Sequence, residues 1–225
     1  MSKKHLSHKI LTHQDIAMVA SGESNESLVD VRKYDASLVS KYEKPDMIPY
    51  TGNFIFVRDS VAKKLAAVNA SLAARKLRLK IVYGYRHPEV QNQYFTRRQF
   101  ELKEQYPNLS KFELDTLTHN FVAVPDVAGH PTGGAVDVLL IDEIGEPLEM
   151  GTGIADYSDP EKMKTFGKGL SGIQTENRKI LHDTMIWEGF APFYGEWWHF
   201  SYGDREWARF YGKSSALYGP IEFKT

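Results

Sequence analysis

Cysteine is absent from this 225-residue chain. Disulfides are therefore excluded, and any metal must be held by nitrogen and oxygen ligands. The absence also fits a reducing compartment. Long apolar runs are missing: no stretch approaches the roughly 18 apolar residues that a membrane span needs. The basic opening segment MSKKHLSHKILTHQD has no apolar core behind it and does not read as a secretory signal. The expectation is a cytoplasmic protein without a membrane span. Nor does one sign of charge dominate. With 28 basic and 29 acidic side chains and a net charge of -1, neither nucleic acid nor an acidic membrane is expected as a partner. What remains is the composition of a globular protein, 42% hydrophobic and 25% charged. No repeat, low-complexity run or linker divides the chain, so residues 1–225 are expected to form a single domain. No feature of the sequence sets an oligomeric state.

Strand and helix signals are mixed along the chain. Residues 53–58, NFIFVR, alternate as a strand does. Val61, Leu65, Val68 and Leu72 then recur with helical spacing, with Asp59 or Ser60 as N-cap. LKIVYGY, 79–85, reads as a strand ending at Arg86. Pro88 suits a first helical turn, and the helix continues toward Pro107. Ser110 and Glu113 form a capping box for the next helix. AVDVLLI, 135–141, is a strand entered through the turn GHPTGG, and 175–188 is a helix stopped by Gly189. The aromatic stretch 190–202 reads as strand. Without regular βαβ alternation, the fold class is α+β rather than doubly wound α/β.

Three places could carry chemistry. Asp137 interrupts an apolar strand, where a carboxylate either faces solvent or must be paired or bound to a metal. His130 stands seven residues earlier in a glycine-rich turn that can fold back toward it. Read alone, such a histidine is more often a surface residue or a structural hydrogen bonder. In GEWWHF, 195–200, the tryptophans either are core or wall a site containing Glu196 and His199. His130, Asp137 and His199 would together supply the three protein ligands of a catalytic zinc ion, and Glu196 the general base for its water. Glu196 and His199 are an odd number of residues apart, so an ideal strand would point them to opposite faces. They share a site only if Glu196 lies in the turn after Gly195 or a bulge re-aims it. Arg86 is read either as a structural ion-pairing residue or as a cation for an oxyanion or a substrate carboxylate.

YGYRHPEVQNQYF, GHPTGGAVDV and EWWHFSYGD, taken in order, resemble the zinc D-alanyl-D-alanine dipeptidases of the vancomycin-resistance type, from about Leu28 to about Trp207. The family pattern Ser-x-His-x-x-Gly-x-Ala-x-Asp is met at His130, Gly133, Ala135 and Asp137, and Glu-x-x-His at Glu196 and His199. The resemblance implies a compact α+β, hedgehog-like fold, with a mixed or antiparallel sheet carrying the zinc and helices around it. It implies one Zn²⁺ per chain on His130, Asp137 and His199, Glu196 as general base and Arg86 at the oxyanion. The amino group of a small D,D-dipeptide substrate would meet Tyr34 and Asp156. Ala128 departs from the pattern, standing where its serine is expected, and this touches substrate fit rather than metal binding. The alternatives are a D,D- or L,D-carboxypeptidase acting on peptidoglycan peptides, and a non-catalytic zinc-binding module. Glu196 argues against the latter, since a structural zinc needs no base.

Overall fold

The computed structural model describes residues 8–22 and 24–225. Its helices are α1 His13–Ala17, α2 Ile48–Thr51, α3 Asp59–Ala73, α4 Pro88–Gln105, α5 Lys111–His119, α6 Pro160–Met163, α7 Gly172–Trp187 and α8 Arg205–Phe210. Its strands are β1 Leu28–Asp30, β2 Val39–Ser40, β3 Phe56–Arg58, β4 Arg78–Tyr83, β5 Ala135–Ile141, β6 Ala191–Pro192 and β7 His199–Ser201. A five-stranded sheet has the order β2-β4-β5-β7-β6. β2 runs parallel to β4, and the other neighbours are antiparallel. β1 and β3 make a separate antiparallel ribbon. The class is α+β, with a mixed sheet and helices packed around it. No helix among the described residues is long and apolar enough to cross a membrane.

Val61, Leu65, Val68 and Leu72 of α3 are all fully buried, as their spacing demands. They join Val136, Val138 and Leu140 of β5 and Leu181 and Met185 of α7 in one apolar cluster. The start of α3 differs from the sequence expectation. Arg58 occupies the N-cap position, and Asp59 is already helical. The local side chains are not needed as caps because the Glu26 carboxylate, from a distant segment, accepts from the Ser60 amide. α5 begins as expected, with Ser110 and Glu113 in a reciprocal capping box. α7 starts earlier than expected, since Ser171 and Gln174 form a second such box ahead of Gly172. β5 has the expected limits, and all of its residues are buried because strands flank it on both sides.

The stretch 190–202 is not one strand. β6 and β7 pair with each other, and residues 193–198 form the turn between them. The strand predicted at 79–85 ends at Tyr83, after a register shift against β5 between Ile81 and Tyr83. A bulge of this kind re-aims the chain that follows it, here the segment leading to Arg86.

Candidate active site

Sheet register brings the first two candidates together. Asp137 of β5 lies directly opposite His199 of β7. Opposed residues of antiparallel strands share a face, with their Cβ atoms roughly 5 Å apart. His199 Nδ1 is accordingly 3.1 Å from Asp137 Oδ1. His130 arrives from a single 3-10 turn, His130–Thr132, closed by Gly133 at φ +73°. The left-handed backbone favours glycine there, while the nearest obstacle to a side chain is only the mobile tip of Leu28. His130 Nδ1 donates to the Gly84 carbonyl at 2.7 Å, leaving Nε2 facing Asp137 Oδ1 at 3.4 Å. One ligand atom from each of the three residues lies within 4.8 Å of the others.

The two distances to Asp137 Oδ1, 3.1 and 3.4 Å, suit a tetrahedral metal. Two bonds of about 2.1 Å at a tetrahedral angle hold their ligand atoms roughly 3.4 Å apart. The donors, two imidazole nitrogens and a carboxylate oxygen, are those zinc accepts. Burial pushes the His130 imidazole down to about 4, so it is neutral near pH 7. Burial would raise Asp137, yet the two imidazoles hold its carboxyl well below the usual carboxylate range. Burial also disfavours charge on His199, but the bond to Asp137 outweighs it and lifts this imidazole to about 9.

Glu196 lies in the turn between β6 and β7, outside the strand that begins at His199. That position removes the face conflict of an odd spacing. Its carboxyl is buried and lines the same cavity as the triad. Burial first, and repulsion from Asp137 and Glu206 after it, push Glu196 up to about 8 against the pull of His199 and Arg86. Trp197 and Trp198 serve both readings of GEWWHF, for both belong to the apolar core while Trp198 also walls the cavity. Arg86 follows the bulged end of β4 and lines the cavity as well. Its Nη1 donates to Gln91 Oε1 at 2.9 Å, and Gln91 is itself tied to the Ala123 carbonyl at 2.8 Å. Arg86 Nε is buried with no partner among the described residues.

The cavity has a volume of about 400 Å³, within the range of small-ligand sites. Ala128, at the position of the pattern's serine, presents a methyl group to it instead of a hydroxyl. The other two sequence candidates are not among its lining residues. Tyr34 is exposed, with its hydroxyl on Asp59 at 2.8 Å. Asp156 is exposed and caps its own turn through Ser158, at 2.6 Å, while its neighbours Ala155 and Tyr157 line the cavity. Ala155 has a left-handed backbone, φ +55°. Sequence reasoning missed Glu206, a buried cavity residue on α8 whose Oε2 is 3.8 Å from His199 Nε2.

A mixed α+β fold with two histidines and an aspartate converging in a cavity is the architecture of a metallopeptidase. The chain belongs to the D-ala-D-ala dipeptidase family of M15 peptidases, whose sequence model matches residues 34–215. It is 34% identical over 108 residues to the D-alanyl-D-alanine dipeptidase of Synechocystis sp., covering 41% of this chain and 44% of that one. With the D-alanyl-D-alanine dipeptidase of Enterococcus faecalis it shares 32% identity over 96 residues, 42% of this chain and 45% of the other. The chain thus spans about half the length of the curated relatives it matches. Among solved structures, the LD-carboxypeptidase LdcB is similar at 15% identity and a TM-score of 0.49, with 88% of this chain and 81% of that chain covered.

Proposed function

We propose that residues 1–225 form a single catalytic domain that hydrolyses D-alanyl-D-alanine to two D-alanines with one zinc ion. The observation that carries this reading is the approach of His130, Asp137 and His199 to within 4.8 Å beside Glu196 and Arg86. Family membership supplies the substrate class. Zinc, when bound, supplies a Lewis acid and lowers the pKa of a coordinated water. His130 presents Nε2 and His199 presents Nδ1, with the Asp137 carboxylate between them. Glu196 takes a proton from the attacking water and passes it to the leaving amine. Its dry position raises its proton affinity, which suits a group that must both accept and release. Arg86 offers its guanidinium to the oxygen that gains charge at the scissile carbonyl, while Gln91 steadies it.

A second reading, a D,D- or L,D-carboxypeptidase acting on peptidoglycan peptides, draws on Ala128. Without the serine hydroxyl, the wall beside His130 has lost a polar contact by which a free dipeptide could be selected. The deciding experiment measures zinc content and hydrolysis of D,D-, L,D- and L,L-dipeptides and a pentapeptide, with and without chelator. Preferential, chelator-sensitive cleavage of free D-alanyl-D-alanine is expected. Cleavage of the pentapeptide alone selects the second reading, and zinc retention without any hydrolysis reduces the chain to a binding module.

A further inference from the structure

We infer that Glu206 is a positioning residue that holds the ring of His199 by its Nε2–H, so that Nδ1 is the nitrogen presented to the metal. The inference rests on the zinc reading above. Its geometry begins with Asp204, the N-cap of α8. Asp204 Oδ1 accepts from the Trp207 amide and from Ser201 Oγ, both at 2.8 Å. Ser201 lies on β7 two residues beyond His199, so α8 is pinned to the strand that carries the ligand. Glu206, in the first turn of that helix, is thereby brought against the imidazole. Its Oε2 is 3.8 Å from His199 Nε2, within ion-pairing reach though longer than a hydrogen bond.

No lysine or arginine among the described residues pairs with Glu206, and its Oε1 has no hydrogen-bond partner. A buried carboxyl group with an unpartnered oxygen is costly unless something in the site uses it. The imidazole nitrogen it faces is the one turned away from Asp137, and that nitrogen must carry the hydrogen if Nδ1 is to act as a ligand. Carboxylates that accept from the second nitrogen of a ligating histidine fix its tautomer and raise its basicity. His130 is held in the same manner with the nitrogens exchanged, Nδ1 donating to Gly84 and Nε2 facing the triad. The two histidines therefore approach through opposite nitrogens, one set by a backbone carbonyl and the other by Glu206.

The test compares wild type, Glu206→Ala and Glu206→Gln by competition for zinc with a chromophoric chelator. The ring tautomer of His199 is read in the zinc-loaded proteins, where the ring is neutral, by long-range ¹⁵N–¹H NMR, and kcat and KM are measured on the same preparations. Glu206→Ala should weaken zinc about 10- to 100-fold and shift the His199 tautomer. Glu206→Gln, near in shape and able to accept through its amide oxygen, should recover part of the affinity, and it carries the test should the alanine variant fail to fold. Unchanged zinc affinity in both variants, with only KM for the dipeptide raised, would make Glu206 a substrate contact and overturn the inference. A wild-type chain that takes up no zinc overturns the zinc reading and this inference together. Uptake that is equal in all three proteins overturns this inference alone.

Discussion

Two buried glutamates, Glu196 and Glu206, share the cavity with His199, and neutral substitutions at the two should have different consequences. Glu196→Gln keeps the shape of the turn and all three metal-facing side chains but removes the proton acceptor. Zinc content should persist while kcat falls by about 10²- to 10⁴-fold, and near-wild-type turnover would reject Glu196 as the base. Arg86→Ala removes the donor that Gln91 steadies. If Arg86 acts on developing charge, kcat should drop by about 10²-fold or more with a smaller rise in KM. An effect confined to KM would reassign it to substrate binding. Asp137 and His199 stood out because each interrupts an apolar or aromatic run, but a bland reading stayed open for both until the resemblance joined them in one site. Glu206 was not legible. It sits in an ordinary polar stretch, and tertiary ties such as the Ser201–Asp204 bond between helix and strand bring it to the imidazole. Tyr34 and Asp156 were placed by resemblance alone. Local hydrogen bonds to Asp59 and Ser158 outbid any reach toward the cavity.

β4 positions two site groups at its end, through a residue with no side chain. A Cβ at Gly84 would stand 2.6 Å from the Phe56 carbonyl oxygen and 2.7 Å from Ile55 Cγ2. The same Phe56 oxygen accepts from the Tyr85 amide at 2.7 Å, so the clash would fall on the joint between β3 and the strand end. Overpacking of this kind costs about 1–3 kcal/mol, and each kcal/mol lowers Tm by about 2–4 °C in a chain of this size. Gly84→Ala should therefore lower Tm by several degrees and also weaken zinc, because the displaced carbonyl is the one that orients His130. Calorimetry with chelator competition checks both, and a loss of Tm with zinc affinity unchanged would show that the carbonyl does not set the ligand. Elements with one dominant signal were readable: α5 from its capping box, β5 from its apolar run. The 190–202 stretch misled because aromatic residues suit strand and turn wall equally, and only the pairing of β6 with β7 reveals the turn. The cap of α3 could not be read locally because Glu26 reaches it from another part of the chain.

At the scale of the molecule, the triad joins β5, β7 and the 130–132 turn, so a bound metal should stabilise the whole native chain. Zinc at a thousand times its Kd adds about 4 kcal/mol to the native state, or roughly 8–16 °C in Tm for a domain of this length. Chelation should remove that increment and added zinc restore it. The size of the increment should depend on pH, with a sign fixed by His199. In the metal-free native state its imidazole is raised to about 9, mainly by Asp137 working against burial. The stability it contributes there is fully present below the unfolded value of about 6.5 and is lost as pH rises through 9. Zinc needs the neutral ring, so it must displace that proton, and below pH 9 its affinity falls about tenfold for each unit of pH. His130, already neutral at pH 7, adds no comparable demand. The gap in Tm between zinc-loaded and metal-free protein should thus widen from pH 6 to pH 8 by about 1.4 kcal/mol of stability per pH unit. Thermal melts at matched free zinc across that range measure it, and a gap that stays constant would mean that His199 gives up no proton when the metal binds.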